Sequence, residues 1–333
     1  MVFFHTLIRK ISTIRRMVTL VTLQNGQKMP QLGLGTYLSL EGECEETTKY
    51  AIDIGYRHLD TAFSYKNEKE VGRAVNAKIA EGVVKREDVF LVTKLSNIHH
   101  DPENVEAACR KSLANLGLDY IDLYLMHTPM GMEYHGDEDT APKSTAGELL
   151  FTTTDYLDTW RAMEGLLDKG LVRSIGISNF NSSQITRLLA NCTVKPVANQ
   201  VECNPGINQG PLRNFCAKHD IALIAYSPLG RPHYAAKNPN FPRPALLDEK
   251  VIALGKKYGK TPGQIILRFL VQLGATPVPK SANKQRLKDN IEIFDFELSP
   301  EDLCTMQSFN SGERTCPFTD YTTHKFFPFH DEF

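Results

Sequence analysis

At 333 residues, with 41% hydrophobic and 23% charged side chains, the chain can bury one large core, and α/β barrels of this length form a single domain. Its formal net charge of −1 and its dispersed lysines and arginines exclude the basic field that nucleic acid or an acidic membrane surface would require. No apolar run approaches the ~18 residues of a membrane-spanning helix, and seven cysteines without a C-x-x-C fit a reducing compartment better than a disulfide framework.

In chain order, residues 1–16 carry Arg9, Lys10, Arg15 and Arg16 and no acid, the composition of a mitochondrial transit peptide. The preferred reading is a disordered extension ahead of an internal start at Met17, which leaves one domain over 17–333 and a cytoplasmic location. Residues 18–23 and 29–31 flank Asn25-Gly26, a tight-turn dipeptide, and predict a β-hairpin under the fold. Eight short apolar runs follow, at 32–37, 58–61, 89–94, 121–127, 174–178, 198–203, 222–227 and 276–280, alternating with amphipathic segments. Two of the helices are sharply marked: 102–116, with Val105, Ala108, Leu113 and Leu116 on one face, and 155–168, with Leu157, Trp160, Met163 and Leu167. Gly117 and Gly170 supply their stops.

Eight such units predict an α/β chain folded as a single (β/α)8 TIM barrel. A doubly wound sheet would show a Gly-rich phosphate loop, and here Leu38 stands where the third glycine of Gly33-Leu34-Gly35 would need its partner. Gly33 and Gly35 are read instead as letting the first strand pack closely. Long irregular stretches at 130–154, 231–243 and 310–333 are expected over the rim, where such loops bind or gate.

Three titratable residues end apolar runs: Asp60, Lys94 and His127, with Tyr65 just beyond the first. Placing them there costs burial free energy, and the carboxyl rim of a parallel barrel is where catalytic groups gather. Singly, each has a blander reading, as a buried ion pair, a rim phenol or a core histidine; all four at successive strand ends point to chemistry. A Schiff-base role for Lys94 would need a neutral amine free of Asp60. His99 and His100 lack metal-ligand spacing and are read as loop residues, and no metal is expected.

Asp60, Tyr65, Lys94 and His127 resemble the catalytic tetrad of the aldo-keto reductases. The likeness runs from Val18 to Phe333 and is carried by G-Y-R-H-L-D-T-A-F-S-Y-K-N-E (55–68), G-L-D-Y-I-D-L-Y-L-M-H (117–127), S-I-G-I-S-N-F (174–180), A-Y-S-P-L-G (225–230) and V-P-K-S (278–281). The resemblance implies a (β/α)8 barrel and hydride transfer from NADPH to an aldehyde or ketone, with Tyr65 as general acid. Lys94 is expected to acidify Tyr65, Asp60 to hold Lys94 charged, and His127 to orient the carbonyl.

The resemblance also assigns Ser178, Asn179 and Gln200 to the nicotinamide carboxamide, Tyr226 to its ring, and Ser227, Leu229 and Gly230 to the pyrophosphate. Thr36, Tyr37 and Asp60 lie against the cofactor in the same scheme. Lys280, Ser281, Asn283 and Arg286 match the segment around the 2′-phosphate, with Asp289 and Asn290 toward adenine; a phosphate dianion calls for such cations and favours NADPH over NADH.

Tyr37, Ser64, Ser96, Thr128 and Cys316 fall at substrate-pocket positions, and Cys316 is expected to be a reactive thiol. Trp160, the one tryptophan, belongs by its spacing to the core, so the pocket lacks indole walls and suits a bulky ketone. The chain looks similar to insect reductases of ecdysteroid ketones such as 3-dehydroecdysone. A general aldehyde or aldose-type reductase and a slow-turnover NADP(H)-sensing subunit are the alternatives. The expected partner is a small-molecule carbonyl substrate, and the expected state a monomer.

Overall fold

The computed structural model describes residues 18–330, so the expectations for residues 1–16 lie outside the described residues. The hairpin forms from β1 (Leu20–Thr22) and β2 (Lys28–Pro30), with Val21 opposite Met29 and Gly26 at φ 86° in the turn. Leu23 and Met29 are buried against Phe90, Val92, Leu123, Leu125, Ile224 and Val278, so the hairpin plugs the floor of the barrel interior.

Eight parallel strands follow in sequence order: β3 (Leu34–Gly35), β4 (His58–Asp60), β5 (Phe90–Leu95), β6 (Leu123–Met126), β7 (Ile175–Ser178), β8 (Ala198–Glu202), β9 (Ala222–Tyr226) and β10 (Ala275–Pro277). Each pairs with its neighbour, and the seam closes where Gly33 N donates to Pro277 O at 3.0 Å and Gly35 N to Pro279 O at 3.1 Å. A Cβ on Gly35 would stand 2.6 Å from Val278 O, and one on Gly33 2.8 Å from the His58 ring. Only glycine allows that approach, which is the close packing expected of this pair.

Helices return the chain after each strand and pack outside the sheet. Pro102–Leu116 ends on Gly117 and Tyr156–Asp168 is followed by Gly170, both glycines left-handed (φ 60° and 67°). Asp155 caps the second by accepting from Leu157 N, and Thr261 with Gln264 forms a capping box at Pro262–Gln272. Trp160 is buried with its indole N–H donated to Val194 O at 3.0 Å, the core role expected for it.

The three long irregular stretches carry little regular structure. Residues 130–154 fold back on themselves through bridges Met132↔Phe151 and Lys143↔Leu149. Residues 231–243 open with the short helix Pro232–Ala235, and the C-terminal run packs as an aromatic cluster, with Phe151 edge-on to His324 at 4.8 Å and Tyr156 to Phe326 at 4.8 Å. His99 and His100 lie in the connection after β5, the loop position read for them, but not on its surface. Both are buried, His99 in the 3-10 turn Asn97–His99, where its Nε2 meets Asp137 Oδ1 at 2.8 Å and its ring packs edge-on to Phe63. Pairing with the long loop after β6 draws His99 inside, and local sequence does not signal it. Among the described residues no helix is long and apolar enough to cross a membrane, and no cluster of ligands could hold a metal ion.

Candidate active site

Strand register brings the four tetrad residues to one rim. Asp60 ends β4, Lys94 is the penultimate residue of β5, His127 follows β6, and Tyr65 closes the 3-10 turn Phe63–Tyr65 immediately beyond β4. Lys94 Nζ donates to Asp60 Oδ1 at 2.8 Å and to Thr61 O at 2.9 Å, while Gln200 Nε2 donates to Asp60 Oδ2 at 2.6 Å. Asp60 is therefore shared between cation and amide. A lysine so committed is a poor Schiff-base nucleophile. The turn carrying Tyr65 is fixed from below: Thr61 Oγ1 donates to Asn67 Oδ1 at 2.7 Å, and Asn67 Nδ2 to Thr36 O at 2.9 Å. Thr36 Oγ1 in turn donates to Asp60 O at 3.0 Å.

Lys94 Nζ lies 4.9 Å from the centroid of the Tyr65 ring, which packs against Tyr37 at 5.0 Å and edge-on to His127 at 5.7 Å. Burial, then the negative field of Asp60, pushes the Tyr65 phenol well above its ordinary range. In the protein on its own, burial and Asp60 outweigh whatever acidification the Lys94 ammonium supplies. Asp60 offsets the ammonium, and the low-dielectric surroundings disfavour phenolate. Burial also lowers Lys94, with Asp60 opposing. The protein around His127 and the Lys94 cation push the imidazole down to about 3, so it is neutral at physiological pH. Its Nδ1 faces Ser64 Oγ at 3.3 Å, which leaves the other ring nitrogen for a substrate oxygen.

The groups matched to nicotinamide form one network. Ser178 Oγ donates to Gln200 O at 2.8 Å, Asn179 Nδ2 to His127 O at 2.9 Å, and Tyr226 OH to Asn179 Oδ1 at 2.9 Å. Asn179 sits at φ 63°, a left-handed conformation that asparagine tolerates. Ser227 (φ 48°), Gly230 (φ 71°) and Arg231 (φ 52°) continue a tight loop after β9 closed by Gly230 N to Ser227 O at 3.0 Å, with Leu229 at its turn. Such a loop offers backbone N–H groups to a diphosphate.

Beyond β10, Ser281 is buried with its Oγ accepting from Asn283 N, and Asn283 caps the helix Lys284–Ile291 by accepting from Arg286 N. Lys280 and Arg286 are exposed there, Lys280 only 3.7 Å from Glu43. Asn290 is buried, and Asp289 Oδ1 accepts from Gln285 Nε2. Exposed cations at a helix N-terminus suit a phosphate, so the residues present fit NADPH.

Among the residues expected at the pocket, Tyr37 packs against the Tyr65 ring and Ser64 contacts His127. Thr128 and Ser96 are buried, and the Thr128 hydroxyl is spent on Asn97 Oδ1 and Met130 O, organising the loop behind the pocket. Cys316 lies 3.9 Å from Ser227 Oγ and 3.2 Å from Arg231 Nη1, and burial with Glu202 pushes its thiol up. Thiol is thereby favoured over thiolate, which argues against the expected reactivity. Two residues outside the sequence reading hold this loop. Glu202, ending β8 and fully buried, accepts from Thr315 N at 2.8 Å and Cys316 N at 2.9 Å, and Arg231 Nη1 donates to Thr315 O at 2.6 Å. Glu202 ends an apolar strand as Asp60 does, and that signal could have found it.

Residues 31–311 match the Aldo/keto reductase family. The chain is 45% identical over 300 residues to aldo-keto reductase family 1 member A1-A of Danio rerio, covering 90% of this chain and 91% of that one. It is 44% identical to estradiol 17 beta-dehydrogenase 5 of Mus musculus, covering 94% and 98%. The crystal structure of a Bombyx mori aldo-keto reductase in complex with NADP superposes with a TM-score of 0.85 at 39% identity, covering 93% of this chain and 99% of that one. With these matches over a closed eight-stranded barrel, the chain belongs to the aldo-keto reductase family of NADP-dependent oxidoreductases.

Proposed function

We propose that this protein uses NADPH to reduce a bulky ketone, of the ecdysteroid class exemplified by 3-dehydroecdysone, with residues 17–333 acting as one cytoplasmic, monomeric catalytic barrel. The observation that carries the catalytic reading is the buried Lys94–Asp60 pair set beneath the Tyr65 ring, beside a histidine kept neutral. Bound NADPH supplies the hydride. The chain's own work is to bind and orient: neutral His127 donates a hydrogen bond to the carbonyl oxygen, and Tyr65 OH delivers the proton that quenches the developing alkoxide. The high proton affinity of Tyr65 keeps it in the donating form at rest. The Lys94 ammonium stabilises the phenolate left after transfer.

Support for a bulky ketone comes from a pocket walled by Tyr37 and serine or threonine rather than indole, and from a relative named for estradiol. Reduction needs Tyr65 protonated and alcohol oxidation needs it ionised, so the reductive optimum lies at the lower pH. The test is NADPH consumption over a panel of aldehydes, aldoses and ketones including 3-dehydroecdysone, for wild type and Tyr65→Phe. Loss of more than about a hundredfold in rate with unchanged NADPH affinity is expected. Retention of a tenth of the rate would reassign the acid to His127, and preference for small aldoses would reject the bulky-ketone substrate.

A further inference from the structure

One buried carboxylate lies outside the tetrad with no cation beside it. Glu68 opens the helix Glu68–Ala80, three residues after Tyr65, and is only 2% exposed. Its Oε1 accepts from Thr93 Oγ1 at 2.7 Å and its Oε2 from Asn115 Nδ2 at 3.0 Å, and among the described residues no lysine, arginine or histidine forms an ion pair with it. The rest of its surroundings are uncharged. Ser112 and Cys109 face it from the helix Pro102–Leu116 and Tyr124 from β6, with burial pushing the Cys109 thiol up to about 12 and the Tyr124 phenol well above its ordinary range. A carboxylate held by neutral donors alone is costly to bury, and burial pushes Glu68 above the usual carboxylate range.

Packing does not explain it. The helix is already seated on its neighbour by Gly72, where a Cβ would stand 2.1 Å from Leu116 O, and by Asn76 Nδ2, which donates to Leu116 O and Gly117 O at 3.1 Å. An acid in a first turn meets the helix dipole, but both Glu68 oxygens are taken up by another strand and another helix. Side chains alternate along β5, so Lys94 points into the barrel at Asp60 while Thr93 points outward to Glu68. The Glu68–Thr93 bond therefore ties the segment carrying the proton donor to the strand carrying its cation. It also sets a second negative charge across the strand from the ammonium, which burial disfavours and whose direct partner, Asp60, is shared with Gln200. On the barrel side the ammonium meets Asp60, Tyr65 and His127, with His58 two residues before Asp60; among the described residues Glu68 is the further carboxylate acting on it.

We propose that Glu68 is a positioning residue for the proton transfer and acts through Lys94: bonded to Thr93, it fixes Tyr65 against Lys94, and its charge helps to hold Lys94 as the ammonium. This rests on the catalytic reading of Tyr65 and Lys94.

The experiment compares wild type with Glu68→Gln, Glu68→Asp and Thr93→Val, measuring reduction of glyceraldehyde by NADPH from neutral to alkaline pH. Glu68→Gln keeps KM and NADPH affinity, loses about tenfold in kcat, and moves the alkaline fall of kcat/KM to lower pH by about half a unit or more, because taking away a negative charge lets each nearby group lose its proton sooner. Glu68→Asp keeps the charge and leaves that fall at its wild-type pH. Thr93→Val breaks the bond and leaves the charge, so kcat drops without the shift, and it serves as the test if Glu68→Gln does not fold. An unmoved alkaline fall in Glu68→Gln, or a wild-type kcat in Thr93→Val, would overturn the proposal. If Tyr65→Phe remained active, the catalytic reading would fail instead. Carbon NMR of lysine-labelled protein, with the Lys94 signal assigned by its loss in Lys94→Arg, would still decide the role of Glu68: the ammonium must lose its proton at lower pH in Glu68→Gln than in wild type, and equal titration would overturn the proposal.

Discussion

Lys94 Nζ and Asp60 Oδ1 are 2.8 Å apart, with side chains only 1% and 4% exposed, so each ion depends on the other for its place in the barrel. Removing one member of such a pair strands a buried charge and costs about 3–5 kcal/mol, whereas removing both costs far less. Asp60→Ala should therefore lower stability by that amount and abolish reduction. The double variant Asp60→Ala with Lys94→Met should recover most of the stability and none of the activity. Denaturant titration of the four proteins checks this, and additive losses in the double variant would show that the pair is not coupled.

In the segment expected to meet the 2′-phosphate, Lys280 and Arg286 stand exposed at the head of the helix Lys284–Ile291. The Lys280–Glu43 contact at 3.7 Å is half-exposed and adds little to stability, leaving the ammonium available to a phosphate. Lys280→Met or Arg286→Ala should weaken NADPH binding by about 1.5–3 kcal/mol with almost no effect on NADH, measured by quenching of intrinsic fluorescence. Equal losses for both nucleotides would place these cations away from the 2′-phosphate.

Three buried histidines give the protein an acid weakness. Burial and neighbouring cationic groups push His99 and His324 down to about 4 and His100 down to about 3, with Asp101 opposing at His100 and the Gly131 carbonyl at His324. Unfolded, each titrates near 6.5. Below that pH the unfolded chain takes up protons that the folded one refuses, so the stability they confer is complete above about pH 6.5. It then falls by up to about 1.4 kcal/mol per pH unit per group as pH drops toward 4. Urea midpoints at pH 7, 6 and 5 should decline accordingly, and the slope should flatten in His324→Asn. A flat profile would mean that these rings are solvated.

Much of this was legible in the sequence because it is local or periodic. The eight strands, Gly117 and Gly170, the closing glycines Gly33 and Gly35, and the strand-end positions of Asp60, Lys94 and His127 follow from pattern and side-chain chemistry. What escaped depends on contacts between distant segments. The burial of His99 is not visible until Asp137, 38 residues further on, meets its ring. The proton affinity of Tyr65 rests on its burial and on the Asp60 carboxylate, and the burial comes from packing that no linear pattern displays. The surroundings of Cys316 are hidden likewise, since Glu202 ends β8 and Arg231 follows the loop after β9.

Arg231 joins the two halves of the site. It follows directly on the loop 227–230 and donates to Thr315 O at 2.6 Å and Cys316 Sγ at 3.2 Å, with its guanidinium 3.8 Å above the Tyr234 ring. Glu202 holds the opposite edge of the same peptide through the N–H groups of Thr315 and Cys316. The C-terminal loop is thus gripped from both sides, and any movement of the loop 227–230 must pull on it. Cys316 sits inside this grip with its thiol pushed up, whereas Cys304 is exposed, so brief iodoacetamide treatment should label Cys304 before Cys316. Arg231→Ala removes a charged hydrogen bond to Thr315 O, worth about 1.5–3 kcal/mol, along with the weaker contact to Cys316 Sγ, and should speed both Cys316 labelling and NADPH release by about tenfold or more. Peptide mapping and stopped-flow release measure the two rates on the same protein. Faster labelling with unchanged release would show that the C-terminal loop opens independently of the cofactor loop, and Arg231 would then be a local fastener and not a link between the two.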